Sequence, residues 1–127
     1  MMKVLIIENE TQTVQVAFNA ANTIFFEGKI QYSYATKSQD VQWSQINQFS
    51  CIFVDISLAM RSDLDGIGII TKIQNEYPAL LSRIAIITGH HKISEALKEI
   101  GQKIEPTQII LKPLKYTELA NFIKSCE

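Results

Sequence analysis

Five times along the chain a short run of aliphatic and β-branched residues alternates with a longer polar stretch, and this alternation restricts the fold more than any other feature. Lys3 to Ile7, Ile30 to Ala35, Cys51 to Asp55, Ile84 to Thr88 and Gln108 to Leu111 read as strands. Val4 to Ile7, Ile52 to Val54 and Ile84 to Ile87 are continuously apolar, the pattern of strands covered on both faces of a parallel sheet. Between them, Val14, Ala17, Phe18, Ala21, Ile24 and Phe25 fall on one helical stripe. So do Ile67, Ile70, Ile73 and Tyr77; Ile93, Ala96, Leu97 and Ile100; and Tyr116, Leu119, Ala120 and Ile123. The stretch after Ser38, a candidate N-cap, predicts a weaker helix with Val41, Ile46 and Phe49 only loosely in phase.

Strand and helix in strict alternation predict an α/β three-layer sandwich, a five-stranded parallel sheet with right-handed crossovers and helices on both faces. With 127 residues there is room for one domain, 1–127, able to bury a core without disulfides or a structural metal. Basic and acidic residues nearly cancel, 12 against 13, so no electrostatic footprint for nucleic acid or an anionic membrane exists. The apolar runs are too short to cross a bilayer and the start carries no signal-peptide pattern, so a cytoplasmic location is expected. Cys51 and Cys126 lack the spacing of a metal or redox motif and read as a small buried hydrophobe and a free tail thiol.

Ligands of open parallel sheets bind outside the carboxyl ends of the strands. Here the first strand runs into Glu8, Asn9 and Glu10, the third ends in Asp55, the fourth in Thr88 and Gly89, and the fifth runs into Lys112 and Pro113. Taken singly, each is an ordinary turn residue. Together they supply a carboxylate nucleophile, oxygens for a hard divalent cation and an ammonium for phosphoryl oxygens.

The segments KVLIIENE (Lys3 to Glu10), IFVDISL (Ile52 to Leu58), the pair Asp65 and Gly66, IAIITG (Ile84 to Gly89) and IILKPLKYTEL (Ile109 to Leu119) come in an order that resembles the response-regulator receiver family of two-component signalling, CheY-like domains. The resemblance spans nearly the whole chain. It implies a flavodoxin-like sheet in the order 2-1-3-4-5, which gathers the ends of strands one, three, four and five. It implies Asp55 as phosphoacceptor, Thr88 as switch hydroxyl and Lys112 as phosphate-binding lysine. Mg²⁺ is the implied cofactor, held by Glu8, Asn9, Asp55 and the backbone carbonyl of Ser57. The implied donor is a phosphohistidine on a sensor histidine kinase or histidine phosphotransfer protein, followed by an unknown effector. Such a domain is a self-modifying substrate rather than a turnover enzyme, with positioning and charge neutralisation as its catalysis. The family also implies a cis Lys112–Pro113 bond and a homodimer face on helix 4, strand 5 and helix 5.

Three departures stand out. Asn9 replaces a second acid, Ile109 replaces an aromatic switch residue, and the loop after Asp55 runs three residues longer than is usual, without its proline, Ala59 standing there instead. Arg61, Asp63 and Asp65 lie in that loop. Without a ring at Ile109, switching is expected in the segment Gly89 to Ile93 and in the fourth helix. His90 and His91 follow the fourth strand and read as surface histidines, His90 at a family position that influences the lifetime of the phosphoryl group. Two alternatives stand beside the phosphoacceptor: a pseudo-receiver acting as a phosphorylation-independent protein-interaction module, and an FMN carrier of the same topology. The second needs a glycine- and hydroxyl-rich phosphate loop where Glu8 and Glu10 would repel a phosphate.

Overall fold

Each predicted strand is present in the computed structural model, which describes residues 2–58, 62–89 and 104–127. The strands are β1 (Met2–Ile7), β2 (Ile30–Ala35), β3 (Cys51–Asp55), β4 (Ile84–Thr88) and β5 (Ile109–Leu111). The α-helices among the described residues are α1 (Thr11–Phe25), α2 (Gly66–Glu76) and α3 (Tyr116–Ser125). Every neighbouring strand pair is parallel and the order is β2-β1-β3-β4-β5.

The continuous apolar runs divide by parity, as successive side chains of a strand must. Val4, Ile6, Cys51, Phe53, Ala85 and Ile87 pack with Phe18 of α1 and Leu119 and Ile123 of α3. Leu5, Ile7, Ile52, Val54 and Ile84 pack on the opposite face with Ile46, Leu80 and Ile69 and Ile73 of α2. Phe53 holds the first layer together, its ring edge-on to Phe18 at 4.9 Å and to Phe122 at 5.6 Å between centroids. Such pairs add about 0.5–1.5 kcal/mol beyond their buried area.

The structure corrects the sequence reading in several places. After Ser38 the chain makes two 3-10 turns, Ser38–Asp40 and Trp43–Gln48, in place of an α-helix. Val41, Ile46 and Phe49 are buried, but they form no continuous stripe to offset the cost of helix nucleation. Ser38 is no N-cap either: its Oγ accepts from Leu64 N–H at 2.9 Å, and its own N–H donates to Ser62 Oγ at 2.8 Å. Gln108 precedes β5 rather than opening it. Its buried amide donates to the carbonyls of Leu81 at 2.8 Å and Ile84 at 2.9 Å, and so anchors the approach to β5.

Ile24 and Phe25, placed on the core stripe by periodicity, are exposed in the last turn of α1, beyond the point where Asn22 binds the backbone of Ile30. Tyr116 is likewise exposed in the first turn of α3, and Phe122 is buried instead. The stripe Ile93 to Ile100, the histidines His90 and His91, and Ala59 and Arg61 lie outside the described residues. Among the described residues no helix is long and apolar enough to cross a membrane.

Candidate functional site

The strand order brings four chain segments to one edge. Glu8 follows β1, Asp55 ends β3, Thr88 ends β4 and Lys112 follows β5. Glu8, Asp55 and Thr88 are buried, at 0%, 3% and 1% exposure, which is unusual for two carboxylates and therefore informative. Lys112 Nζ lies 3.3 Å from Glu8 Oε2 and 3.8 Å from Asp55 Oδ2, so one ammonium is shared between both acids.

Backbone geometry fixes each member. Asp55 Oδ1 accepts from the Ser57 N–H at 3.0 Å, and Ile56 N–H donates to Ile87 O at 3.1 Å, which ties the turn after β3 to β4. Lys112 N–H donates to Thr88 O at 2.8 Å, and the Lys112–Pro113 bond is cis, as the resemblance implied. Gly66 starts α2 directly against the end of β3: a Cβ there would run into the backbone of Asp55 and Ile56. The Asp65 side chain caps α2 through the Gly68 N–H at 2.7 Å. This explains why the Asp65 and Gly66 pair is recognisable although the loop before it is long.

Electrostatically the site favours a cation. Burial, then the negative field of Asp55, pushes the Glu8 carboxyl up to about 7, against the lowering effect of Lys112 and the Glu10 N–H. Glu8 Oε1 accepts from that N–H at 3.2 Å. Glu8 Oε2 is buried with no hydrogen bond, Lys112 touching it only as an ion pair. An orphaned carboxylate oxygen beside a second carboxylate is what a hard divalent cation would satisfy. The cavity at this point, about 280 Å³, is lined by Glu8, Asn9, Glu10, Asp55, Ser57, Gly89 and Lys112. Among the described residues no group of three His, Cys, Asp or Glu side chains forms a metal cage; Mg²⁺ is commonly held by one or two carboxylates and keeps several waters.

The site thus gathers Glu8, Asn9, Asp55, Ser57 and Lys112 in one cavity, with Thr88 ending the adjacent strand. Asp63 and Asp65 are exposed and do not line it. Ile109 is half-buried and packs against the cluster of Ile56, Ile70, Ile86 and Ile104. Sequence reasoning missed the clasp on the loop after Asp55, where Ser38 and Gln39 bind Ser62, Leu64 and the Asp63 N–H. A serine and a glutamine in a polar stretch give no signal of it. It also missed an apolar groove of about 730 Å³ beside Lys112, between α1 and the turn into α3, lined by Val16, Ala17, Leu114 and Tyr116 among others.

No protein-family profile matches the sequence, and no curated protein matches it. Solved structures do match. The receiver domain of a DNA-binding response regulator (merR) from Colwellia psychrerythraea 34H superposes with a TM-score of 0.71 at 19% identity, over 98% of this chain and 97% of that one. The receiver domain of NtrX from Brucella abortus gives 0.69 at 20% identity, over 97% and 96%. A response-regulator receiver domain protein from Clostridium thermocellum gives 0.70 at 18% identity, over 99% and 94%. At these identities the likeness is one of fold, and the fold of the chain is that of response-regulator receiver domains.

Proposed function

We propose that the chain is a phosphoacceptor receiver whose Asp55 takes a phosphoryl group from a phosphohistidine and thereby switches conformation. The observation that carries this reading is the buried Asp55 carboxylate, held at Oδ1 by the Ser57 N–H and facing the Lys112 ammonium at Oδ2. In the transfer, the phosphorus–nitrogen bond of the donor breaks as a bond forms from an Asp55 oxygen to phosphorus. The imidazole leaves and takes up a proton. Lys112 would neutralise the phosphoryl oxygens as a point charge, and Thr88, which ends β4, is the hydroxyl this reading assigns to respond to them.

Mg²⁺ is the cofactor this reading requires, and Glu8, Asn9, Asp55 and the Ser57 carbonyl are the residues that would hold it. When bound it supplies positive charge against the phosphoryl oxygens. The orphaned Glu8 Oε2 supports that assignment. The domain would act on itself, freeing the dephosphorylated histidine partner on transfer and phosphate on later hydrolysis.

Incubation with acetyl phosphate and Mg²⁺, followed by intact-mass measurement, tests the reading. One phosphoryl group should add to the wild type and none to Asp55→Asn, with circular dichroism of the variant unchanged. Labelling that persists in the variant removes Asp55 from the role. A wild type that takes no label at all leaves the phosphorylation-independent interaction module as the better account.

A further inference from the structure

The loop that leaves Asp55 is held from outside as well as at its ends. At its start Ile56 N–H donates to Ile87 O at 3.1 Å, and Ser57 N–H donates to Asp55 Oδ1 at 3.0 Å. At its end Gly66 abuts the strand so closely that an added Cβ would run into Asp55 O and Ile56 Cα. Between these ends the chain is gripped by Ser38, which belongs to the connection from β2 to β3. Ser38 N–H donates to Ser62 Oγ at 2.8 Å, and Leu64 N–H donates to Ser38 Oγ at 2.9 Å. Gln39 Oε1 accepts from Asp63 N–H at 2.9 Å and from Ser38 Oγ at 3.3 Å, which closes the ring of bonds. Ser38 is buried and its carbonyl accepts from Val41 N–H at 3.2 Å, so the gripping residue is itself fixed.

We propose that Ser38 is a positioning residue for the Asp55 site: its clasp on Ser62 and Leu64 fixes the turn after β3 and so keeps the Ser57 carbonyl where Mg²⁺ needs it. The inference rests on the phosphoacceptor reading and adds to it a residue that does not line the site cavity. The route is short. Leu64 is held at its N–H by Ser38 and at its carbonyl by the Ser62 hydroxyl. Just beyond it, Gly66 has no free space against Asp55 and Ile56, so a shift of Leu64 passes into the residue that precedes Ser57.

Two physical arguments give the clasp this role. A connection longer than the family's usual one has more conformations to lose on closing, and a buried network of satisfied hydrogen bonds removes that freedom. The clasp also discriminates between the members of the site. Asp55 lies within β3, paired with Ile87 of β4, so the sheet holds it whatever the loop does. Ser57 follows the strand and depends on the turn. Loss of the clasp therefore acts on the cation before it acts on the nucleophile.

The test titrates the full chain with Mg²⁺ by calorimetry, without a phosphoryl donor, in wild type and in Ser38→Ala, Ser62→Ala, Gln39→Ala and Ser62→Thr, each checked for folding by urea denaturation. Ser38→Ala and Ser62→Ala should bind Mg²⁺ roughly tenfold more weakly, the low end for loss of a support outside the ligand shell. Gln39→Ala should weaken it in the same direction, and Ser62→Thr, which keeps the hydroxyl, should bind as the wild type does. In acetyl-phosphate labelling the Mg²⁺ needed for half the maximal rate should rise by the same factor, while the rate at saturating Mg²⁺ stays near that of the wild type. Should the buried Ser38→Ala fail to fold, Ser62→Ala and Gln39→Ala, on the half-buried and exposed sides of the clasp, decide the question. Folded variants with wild-type Mg²⁺ affinity overturn the proposal and leave the phosphoacceptor reading standing. A lower maximal rate at unchanged Mg²⁺ dependence overturns it as well. A wild type that binds Mg²⁺ yet takes no label removes the phosphoacceptor reading, and the titrations still decide the clasp; one that binds no Mg²⁺ overturns both.

Discussion

At the scale of single residues, the charge arrangement around Lys112 makes testable demands. Glu8 is raised from an ordinary 4.5 to about 7 in the folded protein, chiefly by burial. A carboxyl raised on folding holds its proton more tightly in the native state, so without a divalent cation the protein should lose stability as pH rises from about 4.5 to 7. Above that window this contribution levels off. Urea unfolding in chelator should show a decline of a few kcal/mol across it, and Glu8→Gln, which cannot ionise, should flatten the curve. An unchanged slope in the variant would assign the dependence to another group. Asn9 makes the complementary demand. It lines the cavity and offers a carbonyl oxygen without charge, so Asn9→Asp should tighten Mg²⁺ by roughly tenfold while the added repulsion lowers stability in chelator. Calorimetric titration of both proteins decides it, and equal affinities would mean that position 9 does not face the ion.

At the scale of elements, the junction of β3 with α2 is the tightest constraint. Gly66 lies where any side chain would meet the backbone of Asp55 and Ile56. Gly66→Ala should therefore cost about 1–3 kcal/mol in urea unfolding and slow acetyl-phosphate labelling by shifting Asp55. Full stability in that variant would show that the helix start can retreat from the strand. Strands were legible in the sequence because a sheet covered on both faces leaves unbroken apolar runs, and all five begin within one residue of their expected start, with Ile30, Cys51 and Ile84 matching it. The segment after Ser38 was not, because its apolar residues enter the core from turns that have no period. The acids and lysine of the site were legible because strand ends reveal them once the order is known.

At the scale of the whole molecule, the central sheet couples two core layers through the strands they share. Phe53 joins α1 to α3 through its contacts with Phe18 and Phe122. Phe53→Ala should cost about 3–5 kcal/mol and lower the unfolding midpoint reported by both layers together; separate transitions would mean that the layers fold as independent units. The clasp at Ser38 has a reach of its own. Trp43, the single tryptophan of the chain, donates its indole N–H to the Ser38 carbonyl at 3.2 Å and stacks on Tyr77. Ser38 in turn holds Ser62 and Leu64 of the loop that leaves Asp55. The indole does not line the site cavity, yet it rests on the residue that fastens this loop, so the protein carries its own optical gauge of the loop's position, readable in emission without a dye.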